Sequence, residues 1–165
     1  YDRVMQGKDS FNLPQKLGYE IFQKKCIACH TPPFFTDFSY RNTGLSLDDY
    51  LKDEGRMRIT GEKTDSLKFR VPSLRNVQET FPYAHDGRFA YLDAVFEHYR
   101  SGVIQSTTTD IVLKNGIPLS NFEIGQLKAF LYTLTDSAFL NNSKFSPPGE
   151  ERVIPLPDAL QHAEK

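Results

Sequence analysis

The chain has 165 residues, enough for one domain with a sizeable core. Its 20 Lys+Arg stand against 21 Asp+Glu, so it offers no basic surface for nucleic acid or an anionic membrane. Its apolar runs are far too short to span a bilayer, and 13 Phe and 8 Tyr supply a large aromatic surface without any Trp.

Residues 1–13 show no clear period and read as a lead-in or linker. From Pro14 the pattern turns helical, with Leu17, Ile21 and Phe22 on one face and Pro14 suited to a first turn. This helix delivers Cys26-Ile27-Ala28-Cys29-His30, a C-x-x-C-H motif. Two thiols at this spacing can each form a thioether to a haem vinyl group, and the adjacent imidazole then lies under the iron as its proximal ligand. A redox C-x-x-C or half a zinc site is the competing reading. No second Cys pair exists to complete zinc, and no βαβ pattern surrounds the motif. The motif takes both cysteines and leaves none for a disulfide. Bacteria attach haem covalently outside the cytoplasm, so its chemistry implies the periplasm or an equivalent space. No signal peptide precedes it, and the chain opens at Tyr1-Asp2-Arg3, which points to a removed leader or a piece of a longer protein.

Thr31-Pro32-Pro33 stops the helix. Residues 34–46 read as an irregular aromatic loop whose rings are candidates for packing on a porphyrin or against the core. Ser46 is expected to N-cap a short helix through Leu47, Tyr50 and Leu51 that ends at Gly55. Residues 53–89 form a long irregular segment whose regular Gly, Pro, Asn and Asp argue for ordered turns. From Tyr91 the helical period returns, with Leu92, Val95, Phe96 and Tyr99 as one inward stripe closed by Ser101-Gly102. Residues 103–119 are a polar, Thr-rich loop. Ser120 and Glu123 form a capping box ahead of a stripe of Ile124, Leu127, Phe130, Leu131 and Leu134. Beyond Asp136, Pro147-Pro148, Pro155 and Pro157 mark an extended tail. The expected organisation is a lead-in (1–13), a haem domain (14–136) and a tail (137–165). The expected fold class is all-α: a cytochrome c-type fold, with three main helices and long ordered loops around one covalent haem that serves as core.

A haem iron has a second axial position, and the donor there does much to set potential and reactivity. Met5 falls in the lead-in and Met57 in a charged stretch. His162 sits in the polar tail, and His98 is about 100° around the helix from Tyr99, which turns it from the stripe. His85, in the turn Pro82-Tyr83-Ala84-His85-Asp86-Gly87, remains open as a ligand or a propionate partner. Tyr99 ends the buried stripe, where its phenol could reach iron, and a core tyrosine with one hydrogen bond is the alternative.

The segments CIACHTPPFFTDFSYRNTGL, GRMRITG, KFRVPSLRNVQETFPYAHDGRFAYLDAVFEHYRSG and LSNFEIGQLKAFLYTLTD occur in this order. Together they resemble the C-terminal haem domain of the bacterial di-haem cytochrome c peroxidase and MauG-like family, over about residues 14–136. The resemblance implies an electron-transfer haem held by Cys26 and Cys29, with His30 as proximal ligand. In the peroxidases a distal Met lies fourteen positions after the histidine of the PY-x-H-x-G turn, and counting from His85 lands on Tyr99. MauG-like members have a ligating tyrosine at that position, so the resemblance favours Tyr99. It also implies a structural calcium, held partly by backbone carbonyls in the segment of Thr80-Phe81-Pro82, which suits a hard cation. Arg75 is a candidate propionate partner, with Arg56 and Arg70 as weaker ones. The implied partners are an N-terminal peroxidatic haem domain, hydrogen peroxide at that haem, and a small electron-donor protein or a protein substrate. No second C-x-x-C-H occurs in these 165 residues, so this segment alone is not expected to reduce peroxide at full rate. The alternatives are a free-standing mono-haem electron carrier and a haem-free docking module.

Overall fold

The computed structural model describes residues 1–146; Pro147-Pro148, Pro155, Pro157 and His162 lie outside the described residues. Its helices are α1 (Asp2–Met5), α2 (Leu13–Lys25), α3 (Met57–Thr60), α4 (Leu92–Glu97), α5 (Asn121–Tyr132) and α6 (Ser137–Leu140). Short 3₁₀ turns span Lys63–Asp65, Ile111–Leu113 and Ser143–Phe145, and a π-turn, His98–Gly102, continues α4. Two two-residue strands, β1 (Tyr40–Arg41) and β2 (Phe69–Arg70), pair antiparallel, Tyr40 opposite Arg70 and Arg41 opposite Phe69. The chain is thus helical with a small sheet, where the sequence led us to expect helices alone. Among the described residues no helix is long and apolar enough to cross a membrane.

The chain forms two compact units, 1–135 and a second from Asp136 onward. In the first, α2 packs along α5. Asn12 caps α2 by accepting from the Gln15 amide at 3.0 Å, while the Gln15 side chain accepts from the Asn12 amide. The Ser120–Glu123 box starts α5 as the sequence predicts. Gly18 lets the two helices touch: a Cβ there would lie 1.9 Å from the Gln126 carbonyl oxygen. The predicted stripe of α5 is buried throughout, from Ile124 to Leu134. Phe22 of α2, Phe35 and Val77 from the loops, and Leu92 and Phe96 of α4 complete the core.

The first residues are part of this core and not a linker. Tyr1 stacks edge-on to Phe35 at 4.9 Å, Phe11 meets Phe130 at 6.0 Å, and the Tyr1 nitrogen donates to the Thr133 carbonyl at 2.9 Å. The aromatic content of residues 1–13 decides this, because two rings reach Phe130 even without a helical period. The helix expected from Ser46 is a single turn: Asp48, and not Ser46, accepts from the Tyr50 and Leu51 amides. Ser46 instead receives the Arg88 guanidinium. The second unit, expected to be extended, opens with the helical turn α6, capped by Asp136 accepting from the Phe139 amide.

Candidate haem site

The C-x-x-C-H motif folds as the fraying end of α2. The Cys26 and Ile27 amides still bond the Phe22 carbonyl, and the Cys26 carbonyl then accepts from the amides of Cys29 (3.2 Å) and His30 (3.0 Å). This tight turn sets both thiols and the imidazole around one loop. The cysteines are free, not paired to each other. Burial pushes the Cys26 thiol up to about 12 and raises Cys29 as well. Thiols held protonated in this way are poor nucleophiles, which argues against a thioredoxin-like redox pair.

His30 is turned by its surroundings. Its Nδ1 lies 3.0 Å from the Phe35 carbonyl oxygen, so an Nδ1–H donated there leaves the Nε2 lone pair facing away as a metal donor. Burial lowers its pKa, and the carbonyls of Phe35 and Pro72 oppose that shift. Phe35 itself is fully buried in the core, so the carbonyl that orients His30 sits on a rigid support. The other rings of the aromatic loop divide from it, with Phe34, Phe38 and Tyr40 exposed. Arg70 lies over the Phe38 ring and Arg56 over Tyr40, and Arg56 also pairs with Asp65 at 2.8 Å.

Tyr99 stands in the π-turn after α4. The residue is half-buried. Burial pushes the phenol up to about 12, and the electrostatic influence of Cys29 and then Cys26 adds to that rise. His98 departs from its expected outward position: it is buried, with Nε2 2.9 Å from the Thr43 carbonyl oxygen. Thr43, Phe89 and Gly102 cover its ring, which a plain α-helical wheel does not anticipate.

The remaining candidates have other neighbours. The His85 ring stacks on Phe69 at 3.6 Å and 11°, with Asp86, Asp53 and Arg88 as its charged surroundings. Arg75 makes a two-pronged bond to Asp2 (2.5 and 2.9 Å), donates to the Pro33 carbonyl and lies over the Tyr1 and Phe35 rings. Thr80, Phe81 and Pro82 form an exposed turn. Met57 opens α3 and Met5 is exposed at the end of α1.

Two groups beside the motif have no counterpart in the sequence reading. Arg41 bridges Asp37 and Asp110, each at 2.7 Å, and all three charges act on Cys29. Asn42, 1% exposed, donates to Thr108 at 2.8 Å and accepts from the Gly44 amide at 2.8 Å. The i,i+4 spacing of Asp37 and Arg41 was the available signal, hidden in a stretch that looks irregular.

This donor set fits a covalent haem. Two unpaired thiols on one tight turn and an adjacent imidazole oriented through Nδ1 are the groups that covalent attachment requires.

No protein-family model matches the chain. It is 33% identical over 139 residues to the cytochrome c551 peroxidase of Nitrosomonas europaea, covering 82% of this chain and 38% of that protein. It is 31% identical over 154 residues to the methylamine utilization protein MauG of Methylophilus methylotrophus, covering 89% and 44%. A crystal structure of a MauG-like protein associated with microbial copper homeostasis superposes with TM-score 0.80 at 30% identity, covering 90% of this chain and 51% of that one. The diheme peroxidase BthA of Burkholderia thailandensis shares the fold, with TM-score 0.69 at 19% identity. The chain spans less than half the length of these curated relatives. By these similarities it belongs to the family of bacterial di-haem cytochrome c peroxidases and MauG-like proteins and corresponds to its C-terminal domain.

Proposed function

We propose that this chain is the electron-transfer haem domain of a di-haem peroxidase or MauG-like oxidoreductase. It would relay or store oxidising equivalents for a peroxide-reactive haem in a domain outside these residues, in the periplasm or an equivalent space. The observation that carries this reading is the tight Cys26–His30 turn, in which both thiols are free and the His30 ring is oriented by the Phe35 carbonyl. When bound, the haem would supply a one-electron iron centre whose potential follows its axial donors. Cys26 and Cys29 would anchor it as thioethers. His30 would present Nε2 as proximal donor, its ring fixed by the Phe35 carbonyl.

Tyr99 would be the distal donor. Burial keeps its phenol neutral at pH 7, so its proton would leave only under the pull of a nearby cation. An anionic oxygen donor lowers the potential of a ferric centre, which favours storage of oxidising equivalents over simple shuttling. Arg75 would meet a propionate only by giving up Asp2. His85, stacked on Phe69, remains a candidate propionate partner, and the exposed carbonyls of Thr80 and Pro82 a candidate calcium contact. The partners would be the second haem domain with its hydrogen peroxide, and a donor or substrate protein.

The test is the haem content and peroxide turnover of this chain, made with haem-attachment machinery, alone and joined to a second haem domain. One covalent haem, little turnover alone and restored turnover when joined are expected. Full turnover by the isolated chain, or no covalent haem under those conditions, would contradict the reading.

A further inference from the structure

The turn that carries Tyr99 is an unusual one. In an α-helix successive side chains diverge by about 100°, so a buried stripe of Leu92, Phe96 and Tyr99 leaves position 98 outside. Here His98 is 9% exposed, and its Nε2 lies 2.9 Å from the Thr43 carbonyl oxygen. His98 opens the π-turn His98–Gly102 and is covered by the loop that carries Thr43, while Tyr99 beside it is half-buried. This geometry is rare, and it persists where the surroundings hold it.

Those surroundings are specific. The Tyr99 carbonyl has left the helical ladder and accepts from the Ile117 amide at 2.7 Å. Thr43, whose carbonyl faces His98, lies between two anchored residues. Asn42 before it is buried and bonded to Thr108, and the carbonyl of Gly44 after it accepts from the Ile104 amide at 2.9 Å. Gly102 closes the other side of the ring, since a Cβ there would sit 3.2 Å from His98 Nδ1. The imidazole is thus fitted between a fixed acceptor and a glycine, with the Tyr99 and Phe89 rings each 5.6 Å away.

We propose that His98 is a positioning residue for Tyr99: its bond to the Thr43 carbonyl holds the π-turn, and with it the direction of the neighbouring Tyr99 side chain. Without that bond nothing pins the first residue of the π-turn, and the direction of Tyr99 is lost with it. The inference rests on the assignment of Tyr99 as distal donor.

The experiment compares ferric optical and EPR spectra of the haem-loaded chain with those of His98→Phe, His98→Gln, Gly102→Ala and Tyr99→Phe, alongside each thermal midpoint. His98→Phe keeps bulk without the N–H and is expected to shift the spectrum toward that of Tyr99→Phe. His98→Gln keeps a donor and is expected to return it toward wild type, whatever its midpoint. Gly102→Ala crowds the ring without touching its chemistry, so it decides the matter if His98→Phe does not fold, and it is expected to shift the spectrum the same way. If Tyr99→Phe changes the spectrum while His98→Phe or Gly102→Ala lowers only the midpoint, His98 is ordinary core and this inference falls alone. If Tyr99→Phe leaves the wild-type spectrum, the distal assignment falls and takes this inference with it.

Discussion

At the scale of single residues, the charges beside the haem motif are set by competition between burial and hydrogen bonds. Burial alone would raise the Asp37 carboxyl, but bonds from Ser39 and Arg41 outweigh it and hold it at about 2. A carboxyl depressed in the fold stabilises the native state above its ordinary pKa and loses that contribution as pH falls through the depressed value. Asp37→Asn is therefore expected to flatten the acid limb of the stability curve between about pH 4 and pH 2. It should also cost on the order of 2 kcal/mol at neutral pH, read by chemical denaturation at several pH values. A variant curve parallel to wild type would show that the ion group on Cys29 does not help hold the fold. The candidate haem-attachment motif is legible because its chemistry needs a fixed spacing within five consecutive positions. The Asp37–Arg41–Asp110 group was not, since its third member is 69 positions from Arg41 and no local pattern announces the pairing.

At the scale of elements, α5 and its cap were readable because both obey local rules: a capping box at Ser120 and a 3.6-residue apolar period. Ser120→Ala should cost about 1 kcal/mol, measured as a lower denaturation midpoint. The crossing of α2 and α5 is a different kind of feature. Gly18 reads as a weak spot in a helix, yet it is the point of closest approach, with Gln126 backbone where a side chain would go. Gly18→Ala is expected to destabilise by roughly 1–3 kcal/mol, despite alanine's better helix propensity. A stabilised Gly18→Ala would mean that the helices pack less closely than described. The burial of His98 escaped sequence reading because a helical wheel says nothing of the loop that covers it, here through the Thr43 carbonyl. The helix expected at Ser46 failed for a related reason, since Asp48 two residues later offers the stronger local cap and Ser46 is engaged by Arg88.

At the scale of the whole molecule, the protein shell is built around Phe130. Its ring, fully buried, meets Tyr19 at 5.0 Å, Phe22 at 5.1 Å and Phe35 at 6.2 Å, and Phe35 in turn carries the carbonyl that orients His30. Core and site are thereby linked through one loop. Phe130→Ala should cost about 3–5 kcal/mol and loosen His30 with it, seen as a broadened ferric spectrum in the loaded chain. The role of residues 1–13 became visible only at this scale, because Tyr1 and Phe11 reach the core through contacts over a hundred positions away in sequence.

Cys26 and Cys29 would anchor a covalent haem, and His30 and Tyr99 would donate to its iron. The most direct measurement is the ferric EPR and optical spectrum of the haem-loaded chain beside that of Tyr99→Phe. The substitution is expected to abolish a tyrosinate-ligated signature while leaving covalent attachment intact. Identical spectra in the two proteins would contradict it.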